Sequence, residues 1–234
     1  MTLSSSDHTY LAANWSEVRR RVDDACRAAG RDPSEVVILP VSKTFGADVI
    51  RDAVALGLHR FGENKVQEIR DKAGPLADCG IEWVVIGHLQ TNKAKDVARL
   101  ASEVQSLDRL ELAEALDHRL QAEGRMIDVL VQVKTSSEES KTGLAPEQLP
   151  AFLEQLRRFA TLRVRGLMTL AVQSEDPAQV RACFCRLREL RDEAVGRGHD
   201  LPRLSMGMSG DFPLAIAEGA TEVRIGTAIF GRRG

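Results

Sequence analysis

Short apolar runs rich in β-branched residues recur along the chain at 36–41, 58–61, 83–86, 104–107, 129–133, 164–167, 203–206 and 223–225. Continuous apolar runs of strand length, bounded by polar stretches, suit strands buried on both faces. Between the runs the apolar spacing lengthens to that of a helix. Leu11, Trp15, Val18, Val22 and Cys26 share one face of an opening helix that Gly30 is placed to end. Val180, Phe184, Leu187 and Leu190 do the same ahead of Gly196 and Gly198. Strand and helix in alternation predict parallel βαβ units. Eight such strands behind a leading helix, in 234 residues, predict an α/β fold closed as a (β/α)8 TIM-type barrel; an open doubly wound sheet is the alternative. The run at 58–61 has the weakest strand signal, and 134–143 is the longest polar interruption. No change of composition marks a boundary, so residues 1–234 read as one barrel domain with a leading helix.

Composition narrows the function. Apolar residues make up 43% and charged residues 28%, as in an ordinary soluble domain. A formal net charge of −2 gives no electrostatic reason to expect nucleic acid or an anionic membrane surface. Aromatics at 4% argue against a base-stacking platform. No run approaches the roughly 20 apolar residues needed to span a bilayer. Residues 1–8 lack a basic and apolar leader pattern, so a cytoplasmic protein is expected. Cys26, Cys79, Cys183 and Cys185 form no CxxC pair and no zinc-ligand spacing, which predicts reduced, structural thiols.

The reactive side chains gather where the strands are expected to end, which in a barrel is the active face. Lys43 follows the first run; Gly62-Glu63-Asn64, Gly87-His88-Leu89-Gln90, Gly207-Met208-Ser209-Gly210 and Gly226-Thr227 follow later ones. Barrel phosphate sites form after the seventh and eighth strands. Ser209 is placed to cap a helix over 212–218 with its hydroxyl towards an anion. Gly226 allows close backbone approach, and alternation puts Arg224 on the same side of the strand. A lysine at one strand mouth and an arginine and glycine at another suit a phosphorylated aldehyde, pyridoxal phosphate first: the neutral amine is the nucleophile an imine requires. Each residue alone has an ordinary reading. A strand-end lysine is usually a solvated charge, a glycine a turn residue, His88 a core-edge histidine and Arg224 a partner for Glu222. Their convergence on one rim favours a site.

Val-Ser-Lys-Thr (41–44), Phe-Gly-Glu-Asn-x-Val-Gln-Glu (61–68), Ile-Gly-x-Leu-Gln-x-Asn-Lys (86–93), Glu-x-x-Lys-x-Gly (138–143), Arg-Gly-Leu-Met (165–168), Leu-Ser-Met-Gly-Met-Ser-x-Asp (204–211) and Val-Arg-Ile-Gly-x-x-Ile-Phe-Gly (223–231) together resemble the pyridoxal phosphate homeostasis proteins. The resemblance implies a barrel like the N-terminal domain of alanine racemases. It implies pyridoxal 5'-phosphate held on Lys43 as an internal aldimine, Arg224 facing the pyridine nitrogen and Asn64 near the ring. Ser209, Gly226 and Thr227 would hold the phosphate. It implies a carrier in cofactor homeostasis, with no catalytic residue, serving pyridoxal phosphate-dependent apo-enzymes. Three positions depart from the pattern: Lys65 stands where a tyrosine is common, Val84 where a histidine is, and Lys134 where an asparagine is. Lys65 and Lys141 are secondary amine candidates. The alternative is an amino-acid racemase, which needs a second acid–base group opposite the lysine. Racemases take a tyrosine from an added domain, whereas this chain runs only to Gly234 and its one tyrosine, Tyr10, lies in the leading helix. A lysine-dependent aldolase fits less well, and a monomer is expected.

Overall fold

The computed structural model describes residues 5–136, 138 and 142–231. Helix α1 (Ser5–Ala28) leads into strand β1 (Val37–Pro40), helix α2 (Ala47–Ala55), β2 (Arg60–Glu63), α3 (Val66–Ala73), β3 (Glu82–Val85) and α4 (Ala94–Leu100). The alternation continues with β4 (Ala101–Leu107), α5 (Leu110–Glu123), β5 (Ile127–Gln132), α6 (Leu149–Leu156), β6 (Leu162–Met168) and α7 (Pro177–Gly196). It ends with β7 (Arg203–Ser205), α8 (Phe212–Ala217), β8 (Glu222–Ile225) and the short α9 (Thr227–Phe230).

The eight strands form one parallel sheet in the order β1-β8-β7-β6-β5-β4-β3-β2. Its two ends meet at the top: Val41 bridges Gly62, and the Ser42 N–H donates to the Gly62 carbonyl at 3.1 Å. That closure makes the sheet a nearly closed barrel, as the alternating pattern predicts. It also sets the loop after β1 directly against the end of β2.

The helix expectations hold in detail. Leu11, Val18, Val22 and Cys26 are buried along α1, and Gly30 takes a left-handed φ of +68° while the Arg31 N–H reaches back to the Cys26 carbonyl. Asp176 caps α7 by accepting from the Ala178 N–H at 2.9 Å, with Pro177 at the first turn. The second strand needs correction. It spans Arg60–Glu63 rather than 58–61, because Leu58 closes the end of α2 with its N–H on the Ala53 carbonyl at 3.1 Å. Gly62 and Glu63 therefore belong to the strand itself.

The main apolar core lies between the barrel wall and the helices, with Val85, Val104, Val129, Val223 and Ile225 packed towards Ile50, Ile69, Leu116 and Leu187. Alternation along each strand turns the other residues inwards. Several of these are polar. At the lower end Arg60 reaches Glu222 at 2.6 Å and Glu103 at 2.8 Å, and Arg203 reaches the same two carboxylates at 2.9 and 2.8 Å. This four-membered cluster plugs the barrel opposite the mouth. Among the described residues no helix is long and apolar enough to cross a membrane.

Candidate functional site

A cavity of about 470 Å³ opens at the C-terminal mouth of the barrel. Lys43, Asn64, Ser209, Arg224, Gly226 and Thr227 all line it, together with Val41, Phe45, Ile86, His88, Gln132, Leu170 and Met208. Residues scattered through the chain thus meet because each sits at or just beyond a strand end. The volume and the mixed apolar and polar lining are those of a small-molecule pocket.

Lys43 is half-buried and has no hydrogen-bond or ion-pair partner among the described residues. Its neighbours, by contrast, are tied down. The Ser42 hydroxyl donates to Glu63 at 2.6 Å, the Ser42 carbonyl accepts from Lys72 at 3.1 Å, and the Thr44 N–H donates to Glu68 at 2.6 Å. Thr44 has a φ of +72°, a region that a β-branched residue rarely enters.

Arg224 is buried, and among the described residues no carboxylate hydrogen-bonds or ion-pairs with it. It donates to the Ser205 hydroxyl at 2.7 Å and to the Thr169 carbonyl at 2.7 Å. Glu222 is engaged with Arg60 and Arg203 instead, so the ordinary reading of an Arg224–Glu222 pair is not met. Burial draws the guanidinium down to about 10, against the opposing pull of Glu222 and Asp211. A buried cation satisfied by neutral oxygens on one side is suited to a polar acceptor entering from the cavity.

The rim formed after β7 and β8 is shaped by close backbone packing. An added Cβ on Gly226 would lie 3.1 Å from the Val41 carbonyl, so a glycine keeps that rim low. Ser209 is half-buried and lines the cavity, but it does not cap α8. The helix begins at Phe212 behind Asp211, whose carboxylate accepts from the Met208 N–H at 2.5 Å and folds the 208–211 turn. Thr227 opens α9, and Tyr10 and Asn14 of α1 bond the Phe230 and Ile229 carbonyls at its far end.

His88 is exposed at the rim, 3.7 Å from Asp108, rather than at the core edge. Lys65 is exposed ahead of α3 and does not line the cavity. Val84 is fully buried inside the barrel wall. Lys141 lies outside the described residues, though Thr142 lines the cavity and its carbonyl accepts from Gln132 at 2.8 Å. Glu63, expected just beyond the second strand, ends that strand instead, and together with Glu68 and Lys72, on which no expectation rested, it fixes the loop around Lys43; the sequence signal for the latter two was their i, i+4 spacing in α3. Gly87, expected after the third strand, lines the cavity, and an added Cβ there would collide with the Asn64 carbonyl oxygen.

Residues 7–234 match the family model described as alanine racemase, N-terminal domain. The pyridoxal phosphate homeostasis protein of Pseudomonas aeruginosa is 46% identical over 224 residues, covering 95% of this chain and 96% of that one. Its counterpart in Aquifex aeolicus is 44% identical, over 93% of this chain and 96% of that one. The structure of PipY from Synechococcus elongatus, solved with PLP bound, superposes with a TM-score of 0.84 at 36% identity, over 94% of this chain and all of the other.

Proposed function

Because the chain belongs to the alanine racemase N-terminal domain family and, within it, to the pyridoxal phosphate homeostasis proteins, we propose that it binds pyridoxal 5'-phosphate at the barrel mouth. It stores, shields or delivers the cofactor and catalyses no reaction of its own. The observation that carries this reading is a lysine that has no partner among the described residues and shares one cavity with a buried arginine bonded, among those residues, to neutral oxygens. When bound, pyridoxal phosphate supplies an aldehyde conjugated to a pyridine ring and a phosphate dianion.

The residues present fit that group. Lys43 would hold the group through its amine, the nucleophile that an aldehyde requires. Arg224 would face the ring nitrogen, where a guanidinium would disfavour protonation of the pyridine and so weaken the ring as an electron sink. Asn64, on the cavity wall, would border the ring. Ser209, Gly226 and Thr227 offer hydroxyls and backbone amides to the phosphate, at the barrel position where phosphates commonly lodge. Proton transfer on both faces of an α-carbon would need a second acid–base group across the ring. Tyr10 is occupied on the outer side with the Phe230 carbonyl. The protein acts as a monomer, its open mouth giving apo-enzymes access to the cofactor.

Pyridoxal phosphate titration followed by borohydride reduction and peptide mapping tests this reading. The label is expected on Lys43, with no stable attachment in Lys43→Ala. Arg224→Ala and Ser209→Ala should each weaken binding by about 1–3 kcal/mol. An unchanged reducible adduct in Lys43→Ala would refute the attachment point, and α-deuteration of amino acids at enzymatic rates would refute the carrier role.

A further inference from the structure

One buried ionic cluster grips the Lys43 loop from both sides. Lys72 lies 2.7 Å from Glu63 and 3.1 Å from Glu68, and it also donates to the Ser42 carbonyl at 3.1 Å. Glu63 takes the Ser42 hydroxyl and Glu68 takes the Thr44 N–H, both at 2.6 Å. Lys43 is the residue between these two anchors, and both carboxylates and the ammonium come from the neighbouring β2–α3 unit. Partial burial opposes ionisation of Glu68, but the Thr44 N–H and Lys72 more than offset it and hold the carboxyl below its ordinary range.

Thr44 is the single non-glycine residue with positive φ among the described residues. Such backbone persists only where the surroundings enforce it, and it concentrates at functional positions. The Glu68 carboxylate is the group that meets the Thr44 amide in that inverted orientation. If the bond were lost, Thr44 would relax towards an ordinary φ and swing the Lys43 side chain away from its place on the cavity wall.

We propose that Glu68, braced by Lys72 and Glu63, is a positioning residue that sets where the Lys43 amine stands by holding Thr44 in its left-handed conformation. This rests on Lys43 being the attachment point. A purely structural ion pair would stabilise the fold without caring which residue occupies position 44. A clamp on an inverted amide predicts something sharper: glycine, which enters positive φ without steric cost, should make the clamp dispensable.

The test compares pyridoxal phosphate attachment to Lys43, scored by reduced-peptide mapping, in the wild type, Glu68→Ala, Glu68→Gln and Glu68→Ala with Thr44→Gly. Hydrogen exchange of the Thr44 amide is measured in the same proteins without ligand. Glu68→Ala is expected to weaken attachment about tenfold, the order set by strained non-glycine backbone, and to speed exchange at Thr44. Glu68→Gln keeps an acceptor and should stay close to wild type. Thr44→Gly should restore attachment in the Glu68→Ala background even where the melting temperature stays low. Wild-type attachment in Glu68→Ala, or no rescue by Thr44→Gly, overturns the clamp. A Glu68→Gln protein as impaired as Glu68→Ala overturns it as well, since charge pairing would then be the whole effect. A wild-type protein labelled elsewhere than Lys43 refutes the attachment reading instead, and the exchange data then judge the Thr44–Glu68 bond separately.

Discussion

Phe45 and Phe230 bring their ring centroids to 5.2 Å with the planes inclined by 34°. The contact joins the loop behind Lys43 to the helix that follows Gly226, so both halves of the cavity rest on one aromatic pair. Phe230 is buried, and α1 holds its backbone from outside through Tyr10 and Asn14. The first and last helices of the barrel thus form one packed unit with the amine-bearing loop.

That pairing should be measurable as a coupling energy. Tilted aromatic pairs contribute about 0.5–1.5 kcal/mol beyond their buried area. A double-mutant cycle with Phe45→Leu and Phe230→Leu, read by urea unfolding, is expected to return a coupling in that range. Strict additivity would mean that the two halves of the mouth are energetically independent.

The plug at the lower end predicts the acid limb of stability. Burial alone would raise the Glu222 carboxyl, but Arg60 and Arg203 hold it below the ordinary range. Its folded pKa is therefore depressed, and the unfolded chain binds more protons as the solution is acidified. The contribution is complete above the unfolded carboxylate value of about 4.3 and is lost as pH falls through the folded one. Glu222→Gln should cost about 3–5 kcal/mol at neutral pH, because it leaves two partly buried arginines short of a carboxylate. It should also flatten the decline below pH of about 4. An acid limb as steep as that of the wild type would place the responsible carboxylate elsewhere.

The apolar spacing made the barrel legible, because strands covered on both faces announce themselves as continuous runs such as 129–133. The second strand was harder to read. Glu63 is polar in sequence yet fully buried, its charge answered by Lys72 from the following helix. The plug was hidden for a related reason: Glu103 and Arg203 meet across the barrel, and no local period reports a contact between distant strands. Lys43, Asn64, Ser209, Arg224, Gly226 and Thr227 could be gathered by placing each at a strand end, and they do line one cavity. The helix cap assigned to Ser209 failed because Asp211 folds the turn first. The inverted backbone at Thr44 left no trace at all, since a threonine gives no sign of positive φ.

Tyr10 offers a test of whether α1 serves the cavity or only the fold. Its hydroxyl donates to the Phe230 carbonyl, and its ring lies against Gly231, where an added Cβ would meet the hydroxyl oxygen at 3.5 Å. Tyr10→Phe keeps the ring and removes the donor, which should lower stability by about 0.5–1.5 kcal/mol. The more telling quantity is the stabilisation by ligand. A ligand that binds only the folded chain adds about 2.7 kcal/mol at 100 times its Kd. Helix α9 begins at Thr227 on the cavity rim, so a loosened far end should weaken pyridoxal phosphate binding and shrink that gain at a fixed ligand concentration. Thermal unfolding with and without pyridoxal phosphate decides the matter. A lower melting temperature with an undiminished ligand shift would confine Tyr10 to supporting the barrel.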